Sequence, residues 1–139
     1  MSQHTPNRRP ETSLEWAAWA AYLADSKKAT DIQILHTEKV SQLADYFIIC
    51  SGQSKTQVRA IAEEIAYEFK HVDNAPSSDE RDVANTWCLL DFKDIVIHVM
   101  EQETRRFYQL EQFWSHADLL PDAEWHDVAK DLGLIDLEV

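Results

Sequence analysis

The sequence predicts an α/β fold, a mixed sheet of about four to five strands flanked by helices. Three observations carry this. The short apolar runs DIQILHT, DYFIICS, TWCLLD and IVIHVM are separated by longer segments with helical periodicity. Along the chain the order is helix, two strands, helix, two strands, helix. The last two strands flank Phe92-Lys93-Asp94, a tight hairpin that makes them antiparallel neighbours.

The elements follow in order. Residues 1–12 are polar and carry prolines, the pattern of a loose tail. SLEWAAWAAYLAD, from Ser13 to Asp25, is rich in Ala and Leu and reads as a helix. Ser13 is its expected N-cap, a partial one because Trp16 stands where a capping box places Glu or Gln. Leu14, Ala17, Ala18, Ala21 and Tyr22 make an apolar stripe, read as core packing. Next, Ile32 and Ile34 alternate with Gln33 and Leu35, and the continuous apolar run over 45–51 suits a strand buried on both faces. Gly52 ends it. Ser54 and Gln57 then form a capping box, and Val58, Ile61, Ala62, Ile65 and Phe69 share one helical face. Residues 71–85 are polar and loop-like, with room for a short strand. In the second hairpin strand Ile95, Ile97 and Val99 point one way, and Val96, His98 and Met100 the other. ETRRFYQLEQFW reads as one helix with Phe107, Leu110 and Trp114 as its apolar stripe, and AEWHDVAKDLGLI as a short helix ended by Gly133.

Charge and composition narrow the function classes. The 139 residues suit one domain with a sizeable core. A formal net charge of -12 repels phosphate backbones, which argues against direct DNA or RNA binding. The same charge attracts a basic partner, or serves only solubility. Cys50 and Cys88 stand far apart with no Cys-x-x-Cys pattern, so buried free thiols are expected rather than a zinc site or a disulfide framework. The N-terminus has no signal-peptide core, and no run approaches the roughly 18 apolar residues of a membrane span. The expected location is the compartment of synthesis, a reducing cytoplasm, with no membrane contact.

Three constellations invite chemistry, each with a plainer alternative. Gly52-Gln53-Ser54 at a strand-to-helix junction suits either an anion cradle or a turn with an N-cap, but it is no P-loop. Asp91, Asp94 and His98 on the hairpin suit either a divalent metal or a turn whose Asp side chains bond to backbone N–H groups. Arg105 and Arg106 suit either a bound anion or pairing with Glu101, Glu103 or Glu111. Tyr108 lies beside the stripe, partly exposed. No Ser-His-Asp or Cys-His arrangement is recognisable.

Four segments together resemble the ribosomal silencing factor (Iojap) family. LADYFIICSGQSKTQVRAIAEEI is similar to its first signature, through Ala44-Asp45-Tyr46-Phe47, Gly52-x-Ser54, Val58 and Ala62. WCLLDFKDIVIHV carries Trp87, Asp91, Asp94 and His98 at the family's spacing, and ETRRFYQLEQFW carries Arg106, Tyr108, Leu110, Glu111 and Trp114. KKATDIQIL is similar to the family's first strand. The resemblance covers residues 14–116. It implies a domain over 13–116, between the tail 1–12 and an acidic C-terminal extension, 117–139. It implies a minimal nucleotidyltransferase-like fold without catalytic residues, cofactor or metal. It further implies binding to the large ribosomal subunit through ribosomal protein L-fourteen, steric blocking of subunit association, translational repression under nutrient limitation, and a possible homodimer. Trp87, Asp91, Asp94, His98, Arg106 and Tyr108 are the expected partner-binding residues, with Leu110 and Trp114 mainly in the core. Two positions depart from the family pattern. Lys93 replaces a hairpin glycine, and Arg81 replaces the Gly of a Glu-Gly pair whose Glu is Glu80. A metal-dependent nucleotidyltransferase is the alternative function.

Overall fold

The computed structural model describes residues 4–134. The chain runs α1 (Ser13–Ser26), β1 (Thr30–His36), β2 (Tyr46–Gly52), α2 (Lys55–Lys70), β3 (Ser78–Arg81), β4 (Trp87–Asp91), β5 (Ile95–Glu101), α3 (Gln102–Tyr108), a 3₁₀ helix (Leu110–Trp114), β6 (Asp118–Leu119) and α4 (Asp122–Asp131). Among the described residues the strands form one six-stranded sheet in the order β3-β4-β5-β2-β1-β6. Only β2 and β5 pair in parallel; the other neighbours are antiparallel. The α/β class and mixed sheet are as expected, but the strand number is higher. The additional strands are both edges. β3 is the polar run SDER inside 71–85, where charge masks alternation. β6 is only two residues long, paired to Leu35 and His36.

The main core lies on one sheet face, under α1, α2 and α4. Strand parity supplies it with Ile34, Ile48, Cys50, Cys88, Leu90, Ile95, Ile97 and Val99. The expected face of α2, from Val58 to Phe69, meets these residues with no exposure. Phe69 sits at the centre, stacked on Trp19 at 4.8 Å, with Trp16 at 5.0 Å and Phe92 at 4.8 Å. Both thiols are buried and unbonded, and burial pushes that of Cys50 up to about 12.

α1 differs from its expected stripe. Every residue from Ala17 to Ala24 is buried, because sheet, α2 and α4 close around it. Its small Ala side chains permit that approach. Its cap is Thr12, one residue before the expected Ser13. The Thr12 hydroxyl accepts the Glu15 N–H at 3.1 Å, and the Glu15 carboxylate accepts the Glu11 N–H at 2.7 Å. The capping-box spacing is therefore Thr12-x-x-Glu15.

The first and last described segments lie along this layer. The Trp19 indole N–H donates to the His4 carbonyl at 2.7 Å, Asn7 N–H donates to Leu132 O at 2.7 Å, and Arg8 grips Glu15. α4 packs on α1 through Trp125 and Ala129, followed by buried Leu132 and Leu134. Gly133 ends that helix with φ +82, donating to Lys130 O while Leu134 N–H reaches Ala129 O. Those two bonds are the Schellman pattern, in which the left-handed residue favours glycine. Residues 1–3 of the expected tail and 135–139 of the expected extension lie outside the described residues.

Candidate recognition surface

The opposite sheet face is only partly covered. Parity presents Trp87 and Leu89 from β4, Val96, His98 and Met100 from β5, Phe47 and Ile49 from β2, and Leu35 from β1. α3 and the 3₁₀ helix fold back over part of this face, with Leu110 and Trp114 half-buried against it. Trp114 meets Phe47 edge-on at 4.7 Å.

The expected single helix over ETRRFYQLEQFW breaks after Tyr108. Gln109 adopts φ 48 and ψ 50, the left-handed conformation, and the chain restarts as the 3₁₀ helix. The break rotates the pattern. Leu110 and Trp114 stay on the sheet, while Phe107, expected in their stripe, is 79% exposed. What fixes α3 is Arg105, only 7% exposed. Its Nε donates to Glu111 at 2.9 Å, and its Nη1 donates to Asp31 O at 2.6 Å and Ser51 Oγ at 2.9 Å. The pairing of Arg105 with Glu111 was among those the sequence offered; its burial and the break at Gln109 were not. Gln109 carries no glycine or asparagine mark, and the other two partners of Arg105, Asp31 O and Ser51 Oγ, are remote in sequence.

Of the residues singled out in the sequence, Trp87, His98 and Tyr108 come together. The Trp87 indole N–H donates to His98 Nδ1 at 3.1 Å, and the Trp87 ring packs on Tyr108 at 5.0 Å. Phe107 meets Tyr108 at right angles, also at 5.0 Å. Below them His98 is 5% exposed, between Leu89 and Ile49 in register. Burial pushes its pKa down to about 4, so the ring is neutral at pH 7. Since Nδ1 accepts, Nε2 carries the proton, and that buried N–H has no partner among the described residues. The Asp82 carboxylate orients the loop before β4, accepting Thr86 N–H at 2.6 Å and Trp87 N–H at 3.0 Å. Beside Trp87 runs a groove of about 340 Å³ lined by Glu80, Arg81, Asp82, Trp87 and Leu89. Arg81 is tied down by Asp79 at 3.0 Å and Glu63 at 3.5 Å, which leaves Glu80 and Asp82 as its acidic rim.

The other expected residues lie apart. Asp91 and Asp94 sit at the far end of the hairpin, where Asp91 pairs with Val96 while Trp87 pairs with Met100. Four residues of strand separate the ends, about 13 Å. Asp91 Oδ1 accepts the Lys93 N–H at 2.8 Å, and the Asp94 carbonyl accepts the Asp45 N–H at 2.8 Å. The first is a turn bond and the second ties the hairpin to the segment before β2; among the described residues no three His, Cys, Asp or Glu side chains group to hold a metal ion. Arg106 is exposed and pairs with Glu103 at 3.3 Å. At the start of α2, Ser54 Oγ caps Gln57 N–H at 3.1 Å, while the Gln57 amide takes Gln53 N–H and donates to the Lys27 and Lys28 carbonyls. A Cβ on Gly52 would meet Val58 Cγ2 at 3.0 Å, so that glycine lets α2 approach the sheet.

Fold and surface define an α/β protein with an aromatic patch on a half-open sheet face. The family model "Ribosomal silencing factor during starvation" matches residues 10–134, and the chain belongs to that family. The ribosomal silencing factor RsfS of Bacillus subtilis is 40% identical over 100 residues, covering 72% of this chain and 85% of that protein. The chloroplastic protein Iojap of Zea mays is 34% identical over 105 residues, covering 75% of this chain and 45% of that protein. A crystal structure from Chromobacterium violaceum superposes with a TM-score of 0.73 at 28% identity, covering 76% of this chain and 88% of the other. One from Bacillus halodurans gives 0.65 at 31% identity, covering 73% and 92%.

Proposed function

We propose that this chain binds the large ribosomal subunit through ribosomal protein L-fourteen and sterically blocks association with the small subunit, repressing translation under nutrient limitation. The observation that carries this is the exposed cluster on α3 and β4: Phe107 at 79%, Tyr108 at 50%, and Trp87 packed beneath Tyr108. Large rigid aromatics anchor protein interfaces, and a monomer gains nothing from leaving them in water. Acidic Glu80 and Asp82 rim the adjoining groove, in a chain of net charge -12, which suits a basic ribosomal protein. Family membership supports the ribosomal role. A mouse relative, 32% identical over 97 residues, is named "Mitochondrial assembly of ribosomal large subunit protein 1".

The proposed surface takes Trp87, Arg106 and Tyr108 from the sequence expectation and adds Phe107 and Leu89. His98 acts from below, fixing the Trp87 ring. Asp91 and Asp94 extend the acidic side at the far end of the hairpin. Occlusion of this kind needs no chemistry from the chain, and its place of action is the cytoplasm.

Pull-down of purified ribosomal protein L-fourteen tests the surface. Tyr108→Ala should leave the fold intact, since the side chain is half exposed, yet weaken binding by about 2 kcal/mol or more. Wild-type binding should also fall as salt rises, because the Debye length shrinks from about 8 Å at physiological ionic strength. A folded Tyr108→Ala protein that binds at full strength would remove α3 from the interface.

A further inference from the structure

A second site lies on the other side of α3, at the carboxyl ends of the parallel strands β2 and β5. Ligands of open α/β sheets collect at such ends. A cavity of about 360 Å³ is lined there by Asp31, Arg105, Arg106, Gln109, Glu111 and Gln112, among others. It shares only Arg106 with the proposed partner surface and none of its aromatic residues.

Its polar groups are incompletely used. Arg105 is held on two of its three nitrogens by Glu111, Asp31 O and Ser51 Oγ. Its Nη2 donates to no described residue, and it is not among the sealed, unpartnered polar atoms. A buried guanidinium fixed in this way is a preorganised donor for an oxyanion. Among the described residues Arg106 pairs only with exposed Glu103. The opposite sign is also available. The Asp31 carboxylate has no hydrogen-bond or ion-pair partner among the described residues, and Glu111 engages Arg105 through Oε2 alone. Two cations and two anions therefore line one cavity and cancel.

That balance selects the ligand class. A phosphate would meet only half of the lining and would be repelled by a chain of net charge -12. A simple cation would meet a pinned guanidinium. A zwitterion satisfies both signs at once, and the primary amides of Gln109 and Gln112 add donors and acceptors for a polar side chain. The volume falls within the roughly 300–1,000 Å³ of small-molecule sites. We propose that this cavity binds a free α-amino acid, with its carboxylate on Arg105 Nη2 and Arg106 and its ammonium on Asp31 and Glu111.

The test is a titration of the isotope-labelled full chain with each proteinogenic amino acid, and separately with acetate, methylamine and inorganic phosphate. The Arg105 Nε–H and the Gln109 and Gln112 side-chain amides are followed by NMR. At least one amino acid should shift these resonances saturably at millimolar concentration, where the three controls do not. Gln112→Ala removes a side chain that makes no hydrogen bond to a described residue. It should weaken that binding several-fold with an otherwise unchanged spectrum. Saturation by no amino acid, equal saturation by phosphate or acetate, or indifference to Gln112→Ala would overturn the proposal. No ribosomal component enters this titration, so its failure leaves the partner surface untouched.

Discussion

His98 occupies a strand position whose parity was legible from IVIHVM, and the alternation placed it opposite Ile97 and Val99 as expected. Its burial was not legible. It depends on Trp87 and Phe47 packing against the ring while Tyr108 of α3 packs on Trp87, and no local pattern encodes those contacts. The energetic consequence is specific. The folded pKa of about 4 lies below the ordinary histidine value of 6.5, so below pH 6.5 the unfolded chain binds a proton that the folded chain refuses. Stability should be undiminished by this group above about pH 6.5 and fall as pH drops toward 4, by on the order of 3 kcal/mol in all. Urea denaturation at pH values across that window measures the slope. His98→Asn should flatten it, and an unchanged slope in that variant would assign the acid sensitivity elsewhere. Phe107 and Arg105 illustrate the converse. An i, i+3, i+7 stripe correctly gathered Leu110 and Trp114 on the sheet, yet Phe107 left it because the helix stops at left-handed Gln109. Nor does a pair of adjacent arginines reveal which one is buried.

At the scale of elements, propensity and periodicity were sufficient wherever a long apolar face exists. α2 and the two central strands lie where their patterns put them. Edges and caps were less legible. β3 and β6 gain little from burial, and the α1 cap lay one residue upstream because Thr12 and Ser13 are both competent caps. The hairpin between β4 and β5 gives a measurable case. Lys93 has φ 76, a conformation that costs an L-residue with a Cβ. Lys93→Gly should relieve that strain and raise stability by about 0.5 kcal/mol, after the added unfolded-state entropy of glycine is offset. Lys93→Ala keeps the Cβ and should give no such gain. Equal gains from both substitutions in urea midpoints would point to charge removal rather than backbone relief.

At the scale of the whole molecule, one sheet separates two tasks. One face is sealed by α1, α2 and α4 into the main core. The other supports a small second cluster and leaves Phe107, Tyr108 and the Trp87 groove open to a partner. An acidic chain with such a face is suited to capping a basic surface on a larger particle. The most direct measurement is subunit joining: purified small and large ribosomal subunits are mixed with the protein and resolved on a sucrose gradient. Wild-type protein should comigrate with the large subunit and hold the subunits apart. A folded Phe107→Ala, Tyr108→Ala double variant should leave them free to join. Joined ribosomes in the presence of saturating wild-type protein, or full blocking by the double variant, would contradict silencing through this face.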